Sequence, residues 1–349
     1  MNRILLIAML CFLVVSSASA ATKVKDKAPA EATVAVNCTL GERITDALAE
    51  PAHALTIEIS GICYEDVEIL RNYVTLRGTD PLTDGIRPAP GGPEHSVITV
   101  FAAHNIDIEN LSLTGATIGI GINASYLMSV RNCLIEINSI GVLGASGTGS
   151  LTVEDTVMAV TAGGEAKSGI LLTHGSNLIC TRCTIENRDA IRMQNGSHMY
   201  LNESSLRGTR DGVNASGGSR FVSNKFISPI PSTIEGESYA LRLSSNASAF
   251  FQDDEITGRI RLSEKSVATF LGAHQVNPSN NFVNSGSSLV ARNSTILNGD
   301  FSITDFSNLS LWVGSIIYGG LSCSRGADAY CDNPPDAQGG SNCGQCPNP

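Results

Sequence analysis

Charge is what this 349-residue chain lacks most: Asp, Glu, Lys and Arg make up 16% of it, against about a quarter in an ordinary globular domain. Basic residues are the scarcer kind, 23 against 33 acidic ones, for a formal net charge of −10. A nucleic-acid-binding surface needs a basic face to neutralise phosphates, and this balance excludes one. Aromatic residues amount to 5%, with a single Trp, so the core is expected to be aliphatic. No apolar run reaches the ~20 residues that a membrane-spanning helix requires. The six His residues, at 53, 95, 104, 174, 198 and 274, show no metal-ligand spacing and no Ser or Cys partner. What is plentiful is apolar residue (42%) and Gly (34 residues, without a three-residue period). The first excludes a disordered chain and the second a collagen-like one.

The amino terminus reads as a secretory signal peptide over residues 1–20. Arg3 is the positive flank, Ile4 to Val15 the apolar run, and Ala18-Ser19-Ala20 the small-residue cleavage site. Residues 21–37 are expected to form a flexible leader, and the mature chain to be secreted or periplasmic. Export makes disulfides available to the nine remaining cysteines. Cys38 and Cys63 flank one short segment and are expected to pair. Cys323, Cys331, Cys343 and Cys346 lie in a Gly/Pro/Asp-rich tail, residues 321–349, with three pairings open. Metal-like spacing at Cys343-Gly-Gln-Cys346 would suit zinc, but no His stands nearby. Cys133 and Cys180 occupy repeating apolar positions and are expected to be small core residues.

The repeat decides the fold. From residue 104 onward the pattern is apolar, any, apolar, any, turn-type residue, with another apolar residue three further on. Instances are Ile106/Ile108/Asn110/Leu113, Met128/Val130/Asn132/Ile135, Leu151/Val153/Asp155/Met158, Leu178/Cys180/Arg182/Ile185 and Met199/Leu201/Glu203/Leu206. Later ones include Ala249/Phe251/Asp253/Ile256 and Leu289/Ala291/Asn293/Ile296. The second apolar position steps by 19 to 29 residues, most often about 21. Alternation at period two means short strands with one face inward, and units this small must bury that face by stacking. The expected fold is therefore all-β, a parallel β-helix with roughly 10–11 coils at ~4.8 Å per coil. Gly41 to Ala52 has helical spacing (Ile44, Ala47, Leu48) and is expected to cap the open end. Asp80 to Pro93, rich in Pro, Gly and Asp, is expected to protrude as a loop.

The segment Leu55-Thr56-Ile57-Glu58-Ile59-Ser60-Gly61, then Cys63, Glu65, Val67 and Val74-Thr75-Leu76-Arg77-Gly78, resembles the opening of exported bacterial right-handed parallel β-helix proteins of the pectate-lyase-like superfamily. The resemblance covers about residues 38 to 320 and implies the fold, a right-handed parallel β-helix over residues 38–320. Its members include lyases, hydrolases, esterases and adhesins, so it leaves the activity open. In this fold a carbohydrate usually lies along one exposed strand face, and a second strand begins about eleven residues after each anchor. Aligning those strands places Lys167, Arg188 and Arg210 in one row, and Ser168, Asp189, Asp211 and Tyr239 in the next. A third row runs Leu171, Arg192, Asn214, Arg242 and Arg261.

Arginine forks suit bidentate contact with carboxylates, which points to a uronate-containing polysaccharide as partner. The expected contacts are Lys167, Arg188, Arg192, Arg210, Tyr239, Arg242, Arg259 and Arg261. Asp189 and Asp211, stacked ~5 Å apart, are the candidate catalytic residues, because glycoside hydrolysis uses a carboxyl pair at such a separation. Asp189-Ala190-Ile191, Arg210-Asp211-Gly212-Val213 and Arg259-Ile260-Arg261 resemble, in order, the motifs of polygalacturonase-type enzymes. The tandem aspartates of those enzymes are absent, and Ser238-Tyr239-Ala240 stands where their His motif is expected. Asp253-Asp254-Glu255 is the densest acidic cluster and could suggest calcium. Asp253 sits in the turn column, however, which favours a structural role, and no metal or other cofactor is expected. The function read from these residues is binding of an acidic polysaccharide by a monomeric, exported rod, with cleavage by a lyase or hydrolase reaction left open. The alternative is a non-catalytic surface module.

Overall fold

The structure is a computed structural model and describes residues 31–90, 96–160, 167–224, 230–276, 280–312, 314–332 and Cys343. Residues 1–20, expected to be a signal peptide, residues 21–30 and Cys346 lie outside the described residues. Almost everything described is strand, wound as a right-handed parallel solenoid of about 13 turns. One sheet stacks 14 strands, from Glu31–Asn37 and Ala54–Ser60 at one end to Asn308–Leu311 and Asp328–Cys331 at the other. The remaining 22 strands form the second sheet, and every registered pairing in both sheets is parallel, beginning with Glu31–Asn37 against Ala54–Ser60. The solenoid is thus longer at both ends than residues 38–320. A strand occupies Glu31–Asn37, inside the expected leader, and the strands Leu321–Cys323 and Asp328–Cys331 carry the coils into the expected tail.

The repeat maps onto geometry position by position. The two apolar residues of each anchor are buried, for example Ile106 with Ile108, Met128 with Val130, and Leu178 with Cys180. The turn-type residue after them takes positive φ throughout: Asn110, Asn132, Asp155, Arg182, Glu203, Asp253 and Asn293 lie between 47° and 56°. Asn132 Nδ2 donates to Asn110 Oδ1 at 2.8 Å, linking one turn to the next. At the following corner the chain passes so close to its neighbour that a Cβ on Gly169 would lie 2.8 Å from the Ala190 carbonyl oxygen. Buried hydroxyls tie the third corner down: Ser176, Ser197, Ser219 and Ser266 each donate to the carbonyl three residues back, at 2.7 Å.

Several expectations need correction. The core is aliphatic only in its first half; Phe221, Phe251 and Phe270 stack inside later coils with centroids 5.5 and 5.0 Å apart. Between Gly41 and Ala52 there is one helical turn, Ile44–Ala47, whose first amides donate to the buried Glu65 carboxylate. Within Asp80–Pro93, Gly85–Arg87 is a strand of the second sheet, held by the buried Asp84 carboxylate, which accepts from the amides of Gly61 and Thr79. Cys38 pairs with Cys63 and Cys323 with Cys343, while Cys331 is also disulfide-bonded. Cys180 is a buried core residue, but it is bonded to Cys183 as well. Cys133 alone is a free thiol among the described residues, and burial pushes its pKa up to about 11.

Candidate functional site

Two of the three rows read from the sequence are registers of the second sheet; the Lys167, Arg188 and Arg210 row is not, because the register shifts between Asn187 and Asp189. Ser168 pairs with Asp189, Asp189 with Asp211, and Asp211 with Tyr239. Leu171, Arg192, Asn214, Arg242 and Arg261 follow one another in the same way. Two long strands, Thr184–Met193 and Ser205–Ala215, turn the corner without a break, and their register shifts between Asn187 and Asp189. At this corner Arg188 is exposed and Arg210 partly so, while the two aspartates turn inward.

The aspartates do not face solvent. Asp189 is 1% exposed and Asp211 0%. Arg210 joins them: its guanidinium bonds Asp189 Oδ2, and its Nε reaches Asp211 Oδ2 at 3.2 Å. Asn214 Nδ2 donates to the same Asp211 oxygen at 3.0 Å, and Arg242 approaches it at 3.7 Å. The other oxygen of each carboxylate, like Ser168 Oγ, has no hydrogen-bond partner. Burial accordingly raises the Asp189 pKa against the pull of Arg210, and the neighbouring Asp211 charge adds to the rise. A carboxyl pair with a guanidinium between its members and no solvent access cannot protonate a glycosidic oxygen or admit a nucleophilic water. The contacts of Asp189 and Asp211, the candidate catalytic residues, are those of side chains that position Arg210 and Arg242.

The outer surface of the same coils gathers cations around one ring. The guanidinium carbons of Arg259, Arg261 and Arg242 lie 5.0, 5.8 and 5.9 Å from the Tyr239 ring centroid. Arg259 Nε donates to the Ser238 carbonyl at 2.8 Å, and Arg261 Nη1 reaches the Tyr239 hydroxyl at 3.4 Å. Lys167, Arg188, Arg192, Arg259 and Arg261 form no ion pair with any described carboxylate. A cleft of about 410 Å³ opens beside Arg188, lined also by Ala159, Val160, Glu186, Asn187, Arg207 and Thr209. The row alignment missed Arg207 and Thr209. Their signal was the period-two alternation of Ser205, Arg207 and Thr209 before the corner.

The sequence pattern of the family described as periplasmic copper-binding protein (NosD) matches residues 60–258, more than half of the chain. The chain belongs to the NosD family. No curated protein matches the sequence with significance. Among solved structures, this NosD-family chain is similar to the Agl-KA catalytic domain at 12% identity and a TM-score of 0.50, over 85% of this chain and 68% of that one. It is also similar to the catalytic domain of a GH87 α-1,3-glucanase in complex with nigerose (13% identity, TM-score 0.38, 90% and 71% of the two chains). Tailspike protein 2 of the Escherichia coli O157:H7 bacteriophage CAB120 is a further similar structure (11%, 0.35, 76% and 38%). The Agl-KA likeness is one of fold.

Copper is the metal in the family's description, and its preferred donors are thiolate, thioether and imidazole. Among the described residues of this NosD-family member they do not assemble. Met128, Met158, Met193 and Met199 are all buried in the core, Cys180 and Cys183 are bonded to each other, and Cys133 is a buried neutral thiol. The His104 ring stacks on Tyr126 at 4.9 Å. Among the described residues no three His, Cys, Asp or Glu side chains converge on a metal-sized point. The donors among the described residues do not fit copper. No helix among the described residues is long and apolar enough to cross a membrane. The periplasmic character of the family and the disulfides agree with an exported location.

Proposed function

We propose that this protein binds an acidic, uronate-containing polysaccharide along the face built by Arg188, Arg192, Arg242, Arg259, Arg261 and Tyr239. The observation that carries the reading is the Tyr239 ring with three guanidinium groups within 5.9 Å, two of them without an acidic partner. Keeping like charges together costs free energy, which an anionic ligand would recover, and guanidinium forks match carboxylates in geometry as well as charge. The rows run along the rod, so a polymer lying across successive coils would meet a new cation about every turn. The cleft beside Arg188 is large enough for one sugar unit.

Binding, rather than cleavage by Asp189 and Asp211, is the activity the geometry supports, since both carboxylates are buried and held by Arg210. The test is passage of the full-length mature protein over a panel of immobilised uronate polymers, with and without calcium. Reducing ends and the absorbance of unsaturated products are followed in parallel. Salt-sensitive retention without products is the expected result. Failure to be retained on every polymer overturns the proposal, and product formation that persists in Asp189→Asn and Asp211→Asn would move catalysis to other residues.

A further inference from the structure

The N-terminal coils carry an aromatic ladder on an outer corner, ending two turns before the coil of Arg188 and Arg192. His53 and Tyr73 have ring centroids 4.6 Å apart, Tyr73 and His104 meet edge-on at 5.1 Å, and His104 and Tyr126 stack in parallel at 4.9 Å with only 6° between planes. One ring comes from each of four successive turns. In a chain with 5% aromatics this is a concentration, and it is exposed: Tyr126 is 50% accessible, the next residue Leu127 52%, and Phe101, paired with Asn123 at the end of the second-sheet strand before this corner, 48%. The turn after Tyr126 contributes Gly149, where a Cβ would come within 2.9 Å of Tyr126 Cβ. Glycine there leaves the end of the ladder without a covering side chain.

The backbone beneath the ladder is held at a cost. Val74, Ile106 and Met128 are in register, and the residue before each has positive φ: Tyr73 at 58°, Asn105 at 55° and Leu127 at 55°. Asn suits that conformation; a bulky Tyr or Leu does not. Large exposed apolar side chains kept where a small polar one would be cheaper point to use rather than to folding.

We infer that this corner is a second carbohydrate platform, one that stacks the apolar faces of neutral sugar rings on Tyr126 and its neighbours. Neutrality follows from the adjoining strands. Arg77 donates to Glu109 at 2.8 Å, and Arg131 bonds Glu109 and lies 3.6 Å from Asp107, so two cations next to the ladder are matched by two carboxylates. A strip one or two side chains wide is too narrow for a protein interface, which buries about 800 Å² per partner. Its ring faces bordered by Tyr and His polar edges match a ligand with an apolar face and hydroxylated rim. The site is independent of the acidic-polymer reading.

The test is affinity electrophoresis of the full-length mature protein through gels holding soluble neutral glucans, mannans or galactans, with tyrosine fluorescence of the same mixtures as a second readout. Wild type is expected to be retarded by at least one neutral polymer. Tyr126→Ala, at a half-exposed position and checked for unchanged thermal unfolding, should lose that retardation at least five-fold, and Phe101→Ser should weaken it. Arg259→Ala/Arg261→Ala should leave it unchanged. The inference is overturned if no neutral polymer retards wild type, if Tyr126→Ala binds as wild type does, or if the arginine variant abolishes the effect.

Discussion

Asp254 shows how a single buried group can set the pH response of a coil. It accepts from Ser223 Oγ at 2.9 Å and from the amides of Ser232 and Gln252, yet burial prevails and pushes its pKa up to about 6 from 3.8. Because the folded pKa is raised, the protonated carboxyl stabilises the fold below about pH 4, and that contribution is lost as pH rises through about 6. A shift of this size corresponds to roughly 3 kcal/mol. Urea unfolding of Asp254→Asn followed between pH 4 and 7 is expected to show a flatter profile than wild type; parallel profiles would contradict the assignment. Leu127→Asn should raise stability by ~1 kcal/mol in thermal unfolding, by relieving a positive φ that asparagine tolerates. Isothermal titration of the oxidised protein with Cu(I) and with Cu(II) should give no stoichiometric complex, and a one-to-one complex would contradict the donor accounting. The turn column was legible residue by residue, since its fixed spacing after two apolar positions implies a positive φ even at Arg182 and Glu203. The burial of Asp189 and Asp211 was not. Register says which residues are neighbours, but not which way a corner side chain turns where the register itself shifts, as it does after Asn187.

At the scale of the strand, pairing in register converts sequence rows into charge ladders. On the first sheet the row Glu58, Arg77, Glu109, Arg131, Glu154 alternates in sign from turn to turn, and its ion pairs are exposed, so each contributes at most ~1 kcal/mol. On the second sheet the alternation fails, and cations accumulate around Tyr239. Arg210 is the exception there, because it bridges Thr184–Met193 and Ser205–Ala215 through two buried carboxylates. Arg210→Ala leaves both carboxylates without their shared cation and should destabilise the fold by about 3 kcal/mol at neutral pH. The loss should shrink on acidification, as the Asp189 carboxyl, whose pKa burial raises, protonates. Equal destabilisation at pH 4 and pH 7 in urea unfolding would contradict the bridging role. The Cys180–Cys183 link was hidden for the same reason as the phenylalanine stack: both occupy inward positions whose spacing specifies small or apolar residues without saying what they do to one another.

For the whole molecule, stacking explains the scarcity of charge. Each exposed position has a like position about 4.8 Å above and below it, so an isolated charge must alternate with its opposite, give way to Ser, Thr or Asn, or await a ligand. The stacking of the coils and two of the rows were readable from one period; the full length of about 13 turns, from Glu31 to Cys331, was not, because terminal coils follow the anchor pattern least well. The central claim, that the unpaired arginines await carboxylates, is tested most directly by affinity electrophoresis of wild type and Arg259→Ala/Arg261→Ala in gels containing polygalacturonate or its fully methyl-esterified form. The account predicts retardation of wild type by the acid form only, weakening with salt and falling at least ten-fold in the double variant. Equal retardation by the esterified polymer, or none by either, would contradict it.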